Sequence, residues 1–440
     1  MPRSLAASVV LVTIAFLVNS ISLSCQADEF RWYKGNLHTH SLWSDGNDFP
    51  EMIVDWYVTH DYDFLSLSDH NILSRGEKWI GEELALKRGA IDGLKRYRAR
   101  FGDEWVETRE KAGPSDDPNA KNTIEIRLKT LEEFSPLFDR PGEFLMIQAE
   151  EITDHFGSLP IHVNANNIAE LIRPRGGESV RETIANNLIA VQQQSERVGQ
   201  PIIAHLNHPN FGYAVTAEDM AAVVQEKFFE VYNGHPGVNH LGDEKHASIE
   251  RMWDIANTIR IADMKHPPLY GLGTDDSHNY FGNRGASTGR GWVMVRANEL
   301  TPEALISAME AGDFYASSGV TLKSHVFDTE KQTLTVSVAA EEGVEYVTEF
   351  VGTPADYDKT NQPIVDNDGK EIVATRSYSA EVGKVLAKVE GASATYQLTG
   401  KELYVRAVVT STKKHWNPSH DDQTEQAWTQ PVGWAKHLQD

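Results

Sequence analysis

Residues Gly35–Gly46 read GNLHTHSLWSDG, and the pair His38 and His40 within this stretch governs how the rest of the chain is read. The run Trp32–Leu37 ahead of the pair has the apolar-to-polar character of a β-strand. Side chains at i and i+2 of a strand project to the same side, so two imidazoles spaced this way can grip one cation. Asp45 follows in a Ser-Asp-Gly turn able to fold a carboxylate back over the same point. A single His-x-His is a weak signal. It gains weight because compatible groups recur at the ends of later strand-like runs.

Those runs are Trp32–Leu37, Asp63–Ser68, Phe144–Glu151, Pro160–Asn164, Pro201–Leu206, Phe228–Tyr232, Leu269–Gly273 and Gly291–Arg296. Helical patterns fall between them at Pro50–His60, Glu77–Phe101, Ser179–Val198, Ala247–Thr258 and Pro302–Ala311, the last with Thr301 as N-cap and Pro302 at N1. Repeated strand-then-helix units predict a parallel sheet, and seven or eight of them favour a barrel whose chemistry gathers at the C-terminal strand ends. Residues 76–140 break the rhythm: two helical stretches split by the Gly-Pro-Ser-Asp-Asp-Pro turn at 113–118 read as an insertion, either walling the site or decorating the surface. From about residue 319 the pattern turns to alternating runs at Leu322–Phe327, Leu334–Val338, Tyr346–Phe350, Ser377–Val382 and Leu403–Val409. These predict a separate antiparallel β domain over 319–440, after an α/β domain over 28–318.

The first 27 residues are expected to be an export signal: Arg3, an apolar stretch Leu5–Leu23, and small residues at −3 and −1 in Cys25-Gln26-Ala27. An uncleaved anchor is disfavoured by Asn19, Ser20 and Ser22, and a lipidated Cys25 by the Ser22-Leu23-Ser24 before it. Cleavage after Ala27 removes the single cysteine, and with it any disulfide, thiolate ligand or cysteine nucleophile. It also takes the net charge from −23 to −24 by removing Arg3, which disfavours a nucleic-acid partner. The expected product is periplasmic or extracellular, without stable membrane insertion.

Polar groups at the strand ends form an ordered set: His38, His40 and Asp45; Asp69 and His70 in Leu-Ser-Asp-His; Glu150 and Glu151 in Gln-Ala-Glu-Glu-Ile-Thr; His162; His205 and His208 in Ala-His-Leu-Asn-His-Pro; and Asp275, Asp276 and His278 in Gly-Thr-Asp-Asp-Ser-His. Imidazoles and carboxylates without thiols suit zinc, manganese or iron rather than calcium. There are more candidates than one ion needs, so two or three divalent cations with bridging ligands are implied.

Over residues 30–318 this order of HTH, Asp, SDH, EE-I-T, a lone His, HP and DDSH resembles the PHP (polymerase and histidinol phosphatase) superfamily. The likeness is nearest to secreted stand-alone or CehA/McbA-type members. The resemblance implies a distorted (β/α)7 TIM-like barrel, up to three metal ions, and hydrolysis of phosphoesters or, in a few members, other esters or carbamates. Position by position it implies His38, His40, Asp45, His70, Glu151, His162, His208, Asp276 and His278 as ligands, with His205 the rival of His208. It places Asp69 beside His70 as a supporting group and leaves Asp275 outside the motif.

Three further residues are catalytic candidates. His235, in Glu-Val-Tyr-Asn-Gly-His-Pro, is a candidate acid or base, with Tyr232 and Asn233 as pocket lining. Arg290, with Arg284, lies in a glycine-rich turn after the last motif and could clamp phosphoryl oxygens. Asp69 is the third. His155, His240 and His246 stay open, whereas His60, His325, His415, His420 and His437 lie off the strand ends. The segment Gln426–Pro431 with Trp428 either reaches the pocket rim or closes the β domain. The expected activity is an exported metal-dependent phosphoesterase on a small-molecule ester. Carboxylester, carbamate or amide hydrolysis on the same centre, and a non-catalytic metal-stabilised carbohydrate- or surface-binding protein, are the alternatives.

Overall fold

In the computed structural model the described residues are 30–88, 92–113, 122–280 and 285–439. The expected export signal, most of the turn at 113–118 and Arg284 lie outside them. Nine strands of the first part are β1 (Arg31–Asn36), β2 (Phe64–Leu67), β3 (Leu145–Phe156), β4 (Leu159–Asn166), β5 (Ile203–Leu206), β6 (Phe228–Asn233), β7 (Tyr270–Thr274), β8 (Trp292–Ala297) and β9 (Phe314–Ser317). Four strands follow: β10 (Tyr346–Pro354), β11 (Lys384–Glu390), β12 (Glu402–Lys414) and β13 (Thr424–Thr429). All thirteen belong to one sheet, in the order β7-β6-β5-β4-β3-β2-β1-β8-β9-β13-β12-β10-β11.

The expected parallel repeat holds only in part. Strands β1, β2 and β3 are parallel, as are β5, β6 and β7. Strand β4 instead returns antiparallel from β3 through a tight turn, with Gly157 at φ 61° supplying the left-handed residue. It also pairs antiparallel with β5. No ladder joins β7 to β8 or β9 among the described residues, so a closed barrel is not formed by strand pairing. The chain beyond β7 instead bonds to the chain beyond β1: Asp276 N–H donates to His38 O at 3.0 Å and His40 N–H to Ser277 O at 2.9 Å. Gly273 lets the two layers approach, since a Cβ there would lie 2.7 Å from the Trp292 carbonyl.

Helices α1 (Pro50–Val58), α2 (Val180–Val198), α3 (Ala217–Ala222), α4 (Ile249–Ala262) and α5 (Pro302–Glu310) cover the sheet. Their ends follow local chemistry. The Ser179 and Thr301 side chains accept from the backbone N–H three residues on, and Gly199 at φ 69° stops α2. Strand β2 is buried throughout, as expected of a central strand covered on both faces.

The insertion departs from its expected helices. Lys78–Gly81, Thr108–Lys111 and Thr123–Leu128 form a three-stranded antiparallel sheet, and the helices described in the insertion are short: Glu82–Lys87, Gly93–Phe101 and Leu131–Phe134. Thr123–Leu128 alternates β-formers with charged residues, a period-two pattern that the long charged context obscured. The C-terminal strands are antiparallel as expected, but β13 pairs with β9, so they extend the same sheet instead of standing apart. A second antiparallel sheet of Leu322–Asp328, Thr333–Val338 and Ser393–Gln397 contributes Leu334, Val336 and Ala394 to a core shared with Phe350, Val405 and Val409. Ser377–Val382 shortens to the strand Ser377–Tyr378.

A buried ion pair ties α4 to β12. Arg406 donates to both carboxylate oxygens of Asp254, at 2.9 and 2.8 Å, over the Trp253 ring. Removing Asp254 would leave the buried Arg406 with only the more exposed Glu250 carboxylate, 3.2 Å away. Asp254→Ala is therefore expected to lower unfolding free energy by about 3–5 kcal/mol in urea titration. Glu226 behaves differently: its carboxylate is fully buried without a hydrogen-bond partner, and burial, only partly opposed by Arg260, pushes its pKa from 4.5 up to about 8. The folded state thus holds this proton more tightly than the unfolded state does. Its contribution falls as pH rises from about 4.5 to about 8. Glu226→Gln should flatten that part of a stability-against-pH profile.

Candidate metal centre

The site sits where β1, β2, β3, β4 and the loops after β5 and β7 converge. Asp69 organises its first edge. Its Oδ1 accepts from the Ser41 and Ser44 N–H groups at 2.8 and 3.0 Å, and its Oδ2 from the Ser41 hydroxyl at 2.6 Å. These bonds fix the turn that carries Asp45. Asp69 is thus a buried support for the turn, and it makes no contact of its own with the cluster of imidazoles expected to bind metal.

Glu151 stands at the centre. Its carboxylate is within 2.7 Å of His70 Nδ1, 2.9 Å of His162 Nδ1, 3.3 Å of His40 Nε2 and 3.5 Å of both His38 and His208 Nε2. Strand alternation puts Glu150 on the other face, where it accepts from Ile172 N–H at 2.5 Å. Asp276 is the second hub: Oδ1 lies 3.2 Å from His38 Nε2 and from His40 Nε2, and Asn233 donates to Oδ2 at 3.1 Å. On the open side Asp45, with 53% of its side chain exposed, lies 3.4 Å from His278 and 3.5 Å from His70. All nine ligand candidates are therefore brought together.

Their spacing fits a metal better than a hydrogen-bonded cluster. Bonds of about 2.0–2.2 Å to a cation give ligand–ligand edges of roughly 3.0–3.5 Å, the range of most of these contacts. Glu151 Oε2 and His162 Nδ1 are buried with no hydrogen-bond partner despite their close neighbours. The groups His38–His40–Glu151, His38–His208–Asp276, His70–Glu151–His162 and His40–Asp45–His70–His278 each offer converging donor atoms. Among the shared members only the Glu151 carboxylate, with two oxygens, is a potential bridge between neighbouring ions; His38, His40 and His70 each have one lone pair and would serve one ion. Two of the residues that must point inward, His208 at φ 24° and Asp276 at φ 47°, occupy the left-handed backbone region that side chains disfavour.

Electrostatics agree. Burial alone would raise the Glu151 and Asp276 carboxyls, yet the surrounding imidazoles hold both well below the usual carboxylate range. Burial alone would lower His38, yet Asp276, Glu230 and Glu151 raise it well above an ordinary histidine. The buried carboxylates thus require positive charge among them, which divalent cations would supply.

A cavity of about 270 Å³ opens over this cluster, with Phe211 and Val238 as its apolar members and His235 on its wall. His235 Nδ1 accepts from Gly237 N–H at 3.0 Å, and burial lowers its pKa. Arg290 is not placed to clamp a substrate. Its buried guanidinium donates to Gly234 O and Gly285 O at 2.8 Å each and to Asn417 O at 3.1 Å, so it binds loops together. Asp275 accepts from Tyr57 and from the N–H groups of Gly289, Arg290 and Gly291, away from the cluster. Tyr232 also points elsewhere, bonding Ser419 and Gln423 and stacking on Trp428. His246 pairs with Asp243, and His240 stacks near His420.

His208 lines the cavity, whereas His205 lies behind it, 3.5 Å from Glu230 and fully buried. Glu230 escaped the sequence reading. It stands inside the apolar run Phe-Phe-Glu-Val-Tyr of β6, and a fully buried carboxylate in such a strand was the available signal.

No family model matches the chain, and no curated protein does either. Among solved structures it is similar to a two-domain protein from Bacteroides vulgatus containing a predicted PHP-like metal-dependent phosphoesterase. The identity is 13%, with 91% of this chain and 95% of that one covered, at a TM-score of 0.37. It is also similar to an amidohydrolase from Chromobacterium violaceum, at 14% identity over 57% of this chain and 89% of that one, with a TM-score of 0.28. Both likenesses are loose, and the side-chain geometry carries the functional reading.

His208→Ala is expected to lower bound metal per protein, while His205→Phe, similar in volume and away from the cavity, should retain it. Elemental analysis of the two purified variants beside the parent checks this. Full metal content in His208→Ala would remove His208 from the ligand set.

Proposed function

We propose that this protein is a metal-dependent hydrolase of the PHP type, exported, and acting on a small phosphoester. The observation that carries the reading is the position of Glu151, one buried carboxylate in contact with five imidazoles, four of which also belong to neighbouring candidate ion groups. Cations held by His38, His40, Asp45, His70, Glu151, His162, His208, Asp276 and His278 would supply Lewis acidity and an activated water near neutral pH.

The protein's own groups do the rest. Asp69 holds the Asp45 turn, and Asn233 holds Asp276 through its side-chain amide. A neutral His235 that accepts at Nδ1 carries its proton on Nε2, which makes it a hydrogen-bond donor within the cavity. There it can orient a substrate oxygen and pass a proton to the leaving group. Among the described residues no lysine or arginine lines the cavity. Charge compensation for a phosphate therefore falls to the cations. Three divalent ions held against Asp45, Glu151 and Asp276, with Glu230 behind His38, would leave a surplus of two positive charges, enough to match a phosphomonoester dianion.

The same lack of a guanidinium clamp, together with Phe211 and Val238, favours a second reading in which a neutral carboxylester or carbamate occupies the cavity. Export rests on the apolar stretch Leu5–Leu23. No helix among the described residues is long and apolar enough to cross a membrane.

Chelation should abolish hydrolysis of p-nitrophenyl phosphate and added Mn²⁺ or Zn²⁺ should restore it. Turnover that survives complete metal removal overturns the proposal. A parallel assay with p-nitrophenyl acetate separates the two substrate readings. His235→Asn is expected to reduce kcat by about 10²-fold at unchanged metal content.

A further inference from the structure

Glu230 makes no approach to the cavity, yet it touches more of the site's framework than any sequence motif would suggest. Its Oε1 accepts from His38 Nδ1 at 2.6 Å and from the Thr274 hydroxyl at 2.8 Å. Its Oε2 accepts from the His208 backbone N–H and from the Asn233 side-chain amide, at 2.8 Å each. The carboxylate is fully buried. Four donors from four places in the chain (the segment after β1, the loop after β5, β6 and β7) therefore meet on one side chain.

We infer that Glu230 is the positioning residue of the metal centre, fixing the ring of His38 in the tautomer that directs the Nε2 lone pair at the cation while anchoring the backbone of His208. This rests on the metal-hydrolase reading above. A neutral imidazole has one N–H and one lone pair, and the bond made by one nitrogen decides which the other presents. With Nδ1–H committed to Glu230, Nε2 of His38 is left as an acceptor facing His40 Nε2 and Asp276 Oδ1, 3.1 and 3.2 Å away. The His208 bond acts on the backbone. That residue sits at φ 24°, and a hydrogen bond to its N–H helps retain a conformation the chain would otherwise leave. The bridge from Asn233 extends the same network to Asp276.

Only a carboxylate meets these demands. An amide of the same shape has one acceptor oxygen and one donor NH₂. If Glu230→Gln turns its NH₂ towards His38, the ring must accept at Nδ1 and place its proton on Nε2, which removes the metal-binding lone pair. If the NH₂ faces the other way, it opposes the N–H of His208 and the amide of Asn233.

The test is Glu230→Gln in the full-length protein, stripped of metal and titrated with Mn²⁺ by calorimetry. The expected result is roughly 10–100-fold weaker binding. Thermal unfolding of the metal-free protein checks that the variant folds, and His38→Ala with and without Glu230→Gln should show that the two losses do not add. Long-range ¹H–¹⁵N NMR of histidine-labelled, metal-free parent, recorded upward in pH until the His38 ring is neutral and with its signals identified from His38→Ala, should show the Nδ1–H form. Unchanged Mn²⁺ affinity in a folded Glu230→Gln, or an Nε2–H ring at His38 in the parent, overturns the inference. A parent protein that takes up no divalent cation overturns the hydrolase reading instead, and the NMR tautomer still decides whether Glu230 governs His38.

Discussion

Buried carboxylates shape this molecule. Asp276, Glu151 and Glu230 all sit in the interior with almost no exposed surface, and ionised carboxylates there are tolerated only with charge or donors to match. Imidazoles surround two of them, and Glu230 is met by four hydrogen-bond donors. The strands that deliver these groups must therefore meet in one register. A slip of one residue would exchange Glu151 for Glu150, which bonds backbone on the opposite face.

The rest of the architecture keeps that register. The insertion grips the segment that bears Asp45: Arg96 pairs with Asp48 at 2.7 Å, Tyr97 donates to Glu51 at 2.6 Å, and the Trp43 indole donates to Lys129 O at 3.1 Å. Tyr97 also stacks on Phe49 with ring centres 4.1 Å apart. From the opposite end of the chain, Asn417 receives Arg290, which in turn holds Gly234 beside His235. The C-terminal strands are consequently joined to the site by hydrogen bonds as well as through the shared sheet and the Arg406–Asp254 pair.

Where sequence reading went astray, the cause was long-range geometry. Arg290 looked like a phosphate clamp because glycines surround it and it follows the last ligand motif. In the folded chain three carbonyls satisfy its guanidinium, and burial closes it to substrate. The insertion looked helical because charged residues mask the alternation of Thr123–Leu128, whose strand partners lie 12 to 50 residues away in sequence. The hairpin between β3 and β4 was hidden for a similar reason: parallel and antiparallel strands carry much the same apolar run, and only pairing partners tell them apart.

The sequence by itself determined the candidate donor types, their order along the chain, most strand and helix positions, and the Thr301 cap that starts α5, because each depends on neighbours a few residues apart. Tertiary structure alone decided which donors converge, that His208 faces the cavity while His205 lies behind it, and that Glu230 supports His38 from another strand. Those relations join residues as far apart as His38 and Glu230, separated by 192 positions. No local pattern encodes such a contact; it exists only once the sheet has brought β1 and β6 to the same interior.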